Sequence, residues 1–330
     1  MTKTLDSKTK IAIGNHDDYE EEGNTGEQLK KAYMNHYNLD KSYYSFDYQN
    51  VHVLILDTQL ELSVDTLEST AVVSEPSSIK ENKDTKDANT KKKEPLLERF
   101  PTVDIADLLA QNSIDIEIPA LDKIIESNAK VPALKVDNEQ YQFVLDDLEK
   151  TSKNKNIDWI FVMFHKPIYS SLSKQFEEYI IRDKYQNVFD KYGVDLVIQG
   201  HNHIYSRTLP LSLNKVDISQ PIVDKSSDNN NTFTNPKGTI FLVVGTGGDE
   251  LYGIVDEQYY VASQYNKGFG FVDIKIDGKR LDLKFYDINL NCQLKITKKK
   301  EREVIDPQSC LPPTPDNDKL KVIDYFTIVK

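Results

Sequence analysis

Cysteine is scarce in this chain: Cys292 and Cys310 are the only two among 330 residues. Both lie near the C-terminus, and they fit no zinc-binding pattern. A disulfide between them and two free thiols both fit, so they assign no redox compartment. Positive charge is also in deficit. Lys and Arg number 41 against 53 Asp and Glu, a formal net charge of −12. That balance argues against a general nucleic-acid binder, because phosphate backbones attract basic surfaces. It leaves room for a small phosphorylated ligand, since a local cation cluster can invert the field at one site. No apolar run is long enough to span a bilayer. The opening MTKTLDSKTK is polar and does not read as a signal peptide. Nothing in the chain assigns a localisation or an oligomeric state.

Apolar residues make up 38% and charged residues 28%. Part of the chain therefore packs a core while other parts stay solvated. Residues 11–58 read as ordered. KIAIGN looks like a short buried strand ending in a loop, and TGEQLKKAYMNHY has helical spacing. SYYSFDYQNVHVLILDT reads as two strands joined by a turn at Gln49-Asn50. From residue 59 to 136 the character is that of a polar insertion, with TVDIADLLAQ and ALDKIIES as short helices inside it. Order resumes with the amphipathic helix NEQYQFVLDDLEK, the strand DWIFVMF and the helix EEYIIRDKYQNVFDKYG, capped by Gly193. VDLVIQG is again a buried strand. Residues 211–237 read as a polar loop insertion, and TIFLVVGTGG, GFGFVDIKIDG and RLDLKFYDI as strands. Alternating strands and helices argue for an α/β layered domain.

Of six histidines, four (His16, His165, His201 and His203) sit just past a short apolar strand. Ligands in α/β sheets bind beyond the carboxyl ends of strands, so separate strands would deliver imidazoles to one rim. One histidine in such a place is ordinarily a surface or satisfied core residue. Four, two of them in Gly200-His201-Asn202-His203, point to a ligand set. Asn15 adds a neutral carbonyl oxygen. Nitrogen and oxygen donors without thiolates suit iron, manganese or zinc. His52 reads as a strand residue without a metal role, and His36 as a helix or loop residue.

GNHD at 14–17, FHKPIY at 164–169 and GHNHIYSR at 200–207 resemble motifs of the calcineurin-like metallophosphoesterases. The purple acid phosphatase branch is the most similar. SYYSFDYQNVHVLILDT and the terminal KLKVIDYFTIVK also resemble that branch. The resemblance covers about 11–58, 137–290 and 319–330, with an insertion at 290–318 that holds both cysteines. It implies an α/β fold, a metallophosphoesterase-type two-sheet sandwich flanked by helices. Residues 1–58 and 137–330 would form the domain. The implied activity is metal-dependent hydrolysis of a phosphate ester, acid-phosphatase-like and acting on a small monoester. The implied alternatives are a nucleotidase or phosphodiesterase, and a non-catalytic binding protein on the same fold.

By the same resemblance, a pair of metal ions clamps the ester. Asn15, His165 and His201 would ligate one metal, and His203 the other. His16 would stand near the leaving oxygen as proton donor, with Asp17 holding its ring. Tyr169, Tyr205 and Arg207 would lie in the pocket wall or behind the ligands. For both tyrosines packing is an equal reading, and for Arg207 a structural carboxylate is favoured over a substrate phosphate as partner. Two earlier family motifs, Asp-x-His and Gly-Asp-x-x-Asp, supply carboxylates to both metals. Nothing before Gly14 matches either. The expectation is therefore at most one weakly held ion, the first β-α-β units missing, and a buried-type strand left as an open edge. Two accounts fit that gap. In one, an active enzyme carries roughly another hundred residues upstream of Met1. In the other, the short product has lost catalysis or needs a second polypeptide.

Overall fold

A computed structural model of the chain describes residues 9–17, 25–59, 138–169, 176–225, 231–248, 250–254, 258–288, 290–292, 310–311 and 320–330. The chain divides into two units, Met1–Leu62 with Asp137–Lys330, and Ser63–Val136. Every described residue belongs to the first. The helices expected in TVDIADLLAQ and ALDKIIES lie outside the described residues, as does nearly all of the 59–136 insertion.

Local sequence sets the helix ends. Helix α1 (Gly26–Tyr37) begins at Thr25, which forms a capping box with Gln28. It ends at Asn38 in the left-handed region. Helix α2 is Asn138–Ser152 and helix α3 is Phe176–Tyr192. Gly193 takes φ +69° after α3, and the Val194 N–H closes onto the Phe189 carbonyl at 3.0 Å. That is a Schellman close, for which glycine has no Cβ penalty.

The strands in chain order are β1 (Tyr44–Tyr48), β2 (Val51–Ile55), β3 (Trp159–Phe164), β4 (Leu196–Gln199), β5 (Tyr205–Thr208), β6 (Leu211–Ser212), β7 (Ile222–Val223) and β8 (Thr232–Thr234). There follow β9 (Ile240–Val244), β10 (Val261–Tyr265), β11 (Gly270–Asp277), β12 (Arg280–Asp287), β13 (Asn291–Cys292), β14 (Cys310–Leu311) and β15 (Lys321–Val329). A seven-stranded sheet runs β1-β2-β3-β4-β9-β5-β10, and a four-stranded sheet runs β11-β12-β15-β8. In the first, β2, β3, β4 and β9 are mutually parallel, with antiparallel strands toward both edges.

The core lies between the sheets. Val51, Val53, Ile55, Trp159, Phe161, Leu196, Ile240 and Leu242 of the larger sheet meet Phe233, Leu281, Leu283, Phe326 and Ile328 of the smaller. On β12 burial alternates along the strand, one face inward and one outward. On β2 every residue is buried. Its other face carries His52 and Leu54, and α2 reaches His52 from that side through Asp147.

The structure departs from the sequence reading in three places. Ile11–Ile13 is no strand among the described residues. The backbone of Ile11 is met by a side chain, the Tyr44 hydroxyl, which accepts from Ile11 N–H at 3.0 Å and donates to Ile11 O at 2.9 Å. Ile13 is nonetheless wholly buried. The described edges of the seven-stranded sheet are β1 and β10, both only partly buried, and the fully buried β2 is covered by its hairpin partner β1. Finally, residues 211–237 are not loop throughout. Thr232–Thr234 pairs in parallel with β15, and that pairing brings Phe233 into the core.

One buried ion pair ties the layers together. Arg207 on β5 grips Asp324 on β15 with two bonds, Nε to Oδ2 at 2.6 Å and Nη2 to Oδ1 at 2.9 Å. The Tyr205 hydroxyl donates to the same carboxylate at 2.7 Å. Removing one member leaves the other charge buried. Asp324→Ala is therefore expected to destabilise the fold by about 3–5 kcal/mol, read from urea denaturation.

His52 is a second buried charge device. Its Nδ1 lies 2.6 Å from Asp47 Oδ1 on β1, and its Nε2 lies 2.7 Å from Asp147 Oδ2 on α2. Ser45 donates to the other Asp147 oxygen at 2.8 Å. Carboxylates only accept, so both contacts are satisfied when both ring nitrogens carry protons. Burial lowers the His52 pKa, but the bonds to Asp147 and Asp47 outweigh it and raise the pKa above the usual histidine value. The stabilisation is complete below the unfolded histidine pKa of about 6.5 and is lost as pH rises through the raised folded value. Thermal melts of the native chain and of His52→Gln should differ most in mild acid and converge in alkali.

Candidate metal centre

The parallel register brings several strand ends to one rim. Ile55 pairs with Met163, and Phe164 with Gln199, so β2, β3 and β4 finish close together. The next residue after β3 is His165. After β4 come Gly200 and His201. The Gly200 N–H bonds the His165 carbonyl at 2.9 Å, which continues the ladder one step beyond the strands. Lys166 N–H donates to Thr58 Oγ1 at 3.1 Å and holds the same loop to the end of the β2 segment.

Gly200-His201-Asn202-His203-Ile204 is wound tightly. Asn202 N–H bonds Gly200 O and Ile204 N–H bonds Asn202 O, both at 2.7 Å. These are successive i→i+2 turns centred on His201 and His203. His201 takes φ +64°, a costly conformation for a residue with a Cβ. The Gly14–Asp17 turn is closed by Asp17 N–H to Gly14 O at 3.1 Å and by Gly14 N–H to Asp17 Oδ2 at 3.0 Å. A Cβ on Gly14 would stand 3.2 Å from the His165 ring, so this turn and the ring are in close contact.

Three donor atoms converge at this rim. His165 Nε2 is 2.6 Å from Asn15 Oδ1, His201 Nδ1 is 3.1 Å from the same oxygen, and the two ring nitrogens are 3.2 Å apart. Donors at such separations can share one cation at bond lengths of about 2.0–2.2 Å. Burial, then the charges of His201, Lys166, His16 and His203, lower the His165 pKa to about 3. The ring is thus a neutral donor, as a metal ligand must be. The donor set fits an ion of the iron, manganese or zinc class.

His203 is held separately. Its Nδ1 lies 2.6 Å from the Glu250 carbonyl, and its ring stacks on Tyr252 with centroids 4.3 Å apart at 21°. Neither Glu250 nor Tyr252 stands out in the sequence, since no motif spacing links either to His203, which is 47 residues from Glu250. His16 is exposed, and among the described residues its ring makes no hydrogen bond. Asp17 engages the Gly14 amide rather than that ring.

Tyr169, Tyr205 and Arg207 are buried and make packing or ion-pair contacts. Tyr169 is buried under the Arg182 guanidinium at 4.0 Å and against Phe241, with its hydroxyl on Gln186. Tyr205 lies flat on Phe285 at 4.0 Å, and Arg207 meets Asp324. Among the described residues no group of three or more His, Cys, Asp or Glu is placed to hold a metal ion. Asn15 is what completes the trio.

Residues 2–205 match the family model described as calcineurin-like phosphoesterase. The chain belongs to that family. An acid phosphatase of Aspergillus ficuum is 34% identical over 113 residues, which cover 34% of this chain and 17% of the relative. The Fe(3+)-Zn(2+) purple acid phosphatase 12 of Arabidopsis thaliana is 27% identical over 142 residues, covering 41% of this chain and 29% of the relative. The matches thus span less than a third of either relative's length. A solved purple acid phosphatase from yellow lupin (Lupinus luteus) seeds superposes over 96% of this chain and 40% of its own, with a TM-score of 0.54 at 19% identity. The fold is accordingly the mixed α/β sandwich of the calcineurin-like phosphoesterases. No helix among the described residues is long and apolar enough to cross a membrane.

With its pKa near 3, His165 should stay neutral as free histidine protonates. In a titration of the side-chain nitrogen resonances its ring is expected to hold its neutral shifts far below pH 6.5. A midpoint near that ordinary value would contradict the buried environment.

Proposed function

We propose that this chain carries a phosphoester-hydrolase site of the acid-phosphatase kind, built for a small phosphate monoester. One observation carries the reading: Asn15 Oδ1, His165 Nε2 and His201 Nδ1 converge within 2.6–3.2 Å of one another from three separate loops. A cation held by these three residues would supply charge neutralisation at the phosphoryl oxygens and activate water. The chain's own groups supply the rest. Asn15 turns its carbonyl oxygen to the trio, which leaves its amide as a donor for a phosphoryl oxygen. His16, exposed one residue on, is free to give a proton to the leaving oxygen. Asp17 holds the turn that presents both.

All three convergent donors are neutral, and the described residues offer no carboxylate set to offset a second dication. Close dications repel strongly without such compensation. We therefore infer at most one weakly held ion and impaired turnover for this chain. A non-catalytic metal- or phosphate-binding role is the second reading, and the neutral donor set favours it over a nucleotidase or phosphodiesterase.

The test uses the full 330-residue chain, stripped of metal and reloaded with Zn²⁺ or Mn²⁺. Elemental analysis should find at most one equivalent, lost in His201→Ala. The loaded protein should bind inorganic phosphate, and the His201→Ala variant should not. Hydrolysis of p-nitrophenyl phosphate should be near background. Two bound equivalents, with turnover that disappears in His203→Ala, would overturn the single-ion assignment. Loading without any phosphate binding would overturn the phosphoester reading.

A further inference from the structure

We propose that Cys292 and Cys310 form a disulfide that closes residues 293–309 into a covalent loop. The inference is independent of the hydrolase reading and rests on where the backbone places the only two cysteines of the chain. Cys292 on β13 and Cys310 on β14 are register partners, next to the pair Asn291 and Leu311.

Register decides whether two cysteines can meet. Directly opposed residues of an antiparallel pair have Cα atoms about 4.5–5.5 Å apart and share one face of the ribbon. A disulfide spans Cα separations of about 4.4–6.8 Å, so this pairing keeps the two residues within bonding range without a backbone shift. A slip of one residue would put them on opposite faces. Oxidation proceeds by exchange with a small-molecule disulfide such as oxidised glutathione. One cysteine thiolate attacks a sulfur of the oxidant and expels a glutathione thiolate. The other cysteine thiolate attacks the protein sulfur of that mixed disulfide and expels the second glutathione thiolate. Two protein thiols thereby give up two protons and two electrons, and the oxidant leaves as two thiols.

The ribbon itself needs reinforcement. Strands β13 and β14 are two residues each, and among the described residues they pair only with each other. An isolated two-stranded ribbon is marginal in water. A cross-link at its base removes the freedom of the open chain and holds the two strands in register. Its place in the fold gives the bond a firm anchor. Leu290, two residues before Cys292, packs with Ile288 on Leu251 and Phe269. Leu251 follows Glu250, whose carbonyl oxygen lies 2.6 Å from His203 Nδ1. The staple thus ties the return of the chain to the same small cluster that backs the rim segment.

The test equilibrates the full 330-residue chain with reduced and oxidised glutathione, both folded and in guanidinium chloride. Free thiols are blocked with iodoacetamide, and the chain is then unfolded and digested with trypsin. Lys295, Lys300 and Arg302 lie between the cysteines, so the two cysteine peptides stay together only through sulfur. The folded chain should yield one linked Cys292–Cys310 pair from a monomer, lighter than the reduced pair by two hydrogen atoms. Its oxidation equilibrium constant should exceed that of the denatured chain by about tenfold or more. The reduced native chain, Cys292→Ser, Cys310→Ser and the double variant should melt together, all below the oxidised chain, because any one change removes the whole bond. Where a variant fails to fold, the reduced native chain carries that comparison. Two alkylated cysteines, glutathione adducts or disulfide-linked dimers after oxidation of the folded chain would overturn the proposal. So would equal oxidation constants for folded and denatured chain, or a double variant less stable than either single one.

Discussion

The bond from the Gly200 amide to the His165 carbonyl is the hinge of the site. It extends the pairing of β3 and β4 past the last strand residue, and it makes two loops behave as one rung. Parallel strands cannot be joined by tight turns, so the chain reaches β3 through α2 and β4 through α3, and the ends of β2, β3 and β4 stay on one side of the sheet. That topology leaves residues from distant parts of the chain with a common destination. His165 and His201 arrive on neighbouring strands, and the Gly14–Asp17 turn closes over them without a strand of its own among the described residues. Rigidity comes from the sheet, and chemistry comes from what projects past its end.

The architecture is stabilised away from that rim. The Arg207–Asp324–Tyr205 knot crosses between the sheets. The His52 bridge joins the β1–β2 hairpin to α2. Both are buried polar devices that define register as well as strengthen packing, and both lie outside the donor trio. The division separates what must be held apart: charged pairs that neutralise themselves within the fold, and neutral donors at the rim kept ready for an ion. Had Arg207 projected into the cleft it would have competed for the same space as a cation.

Much of this was legible in the sequence, for identifiable reasons. Strands such as WIFVMF carry long apolar β-branched and aromatic runs, and a histidine immediately after such a run is easily placed at a sheet rim. Thr25 with Gln28, and Gly193 after an amphipathic run, mark helix ends by local chemistry alone. Three features were not legible. Whether IAI forms a strand depends on a pairing partner, which no local pattern encodes. Thr232–Thr234 sits in a polar stretch, and only its parallel pairing with β15 makes it part of the core. The environments of Tyr169, Tyr205 and Arg207 depend on residues far along the chain. A motif letter shared with a family gives no direction for the side chain. The Glu250 contact has no sequence signal for the same reason, because a backbone oxygen makes it.

Asp287 at the end of β12 faces Lys321 at the start of β15 as a register partner. The chain therefore leaves the smaller sheet and re-enters it on adjacent rungs, whatever length lies between. Closing a longer loop is inexpensive, about 0.6 kcal/mol for each doubling. The two strand ends thus act as a socket. A reporter domain or an affinity handle grafted between them would leave every ladder bond of the sandwich in place, and its size would be set by the graft rather than by the fold.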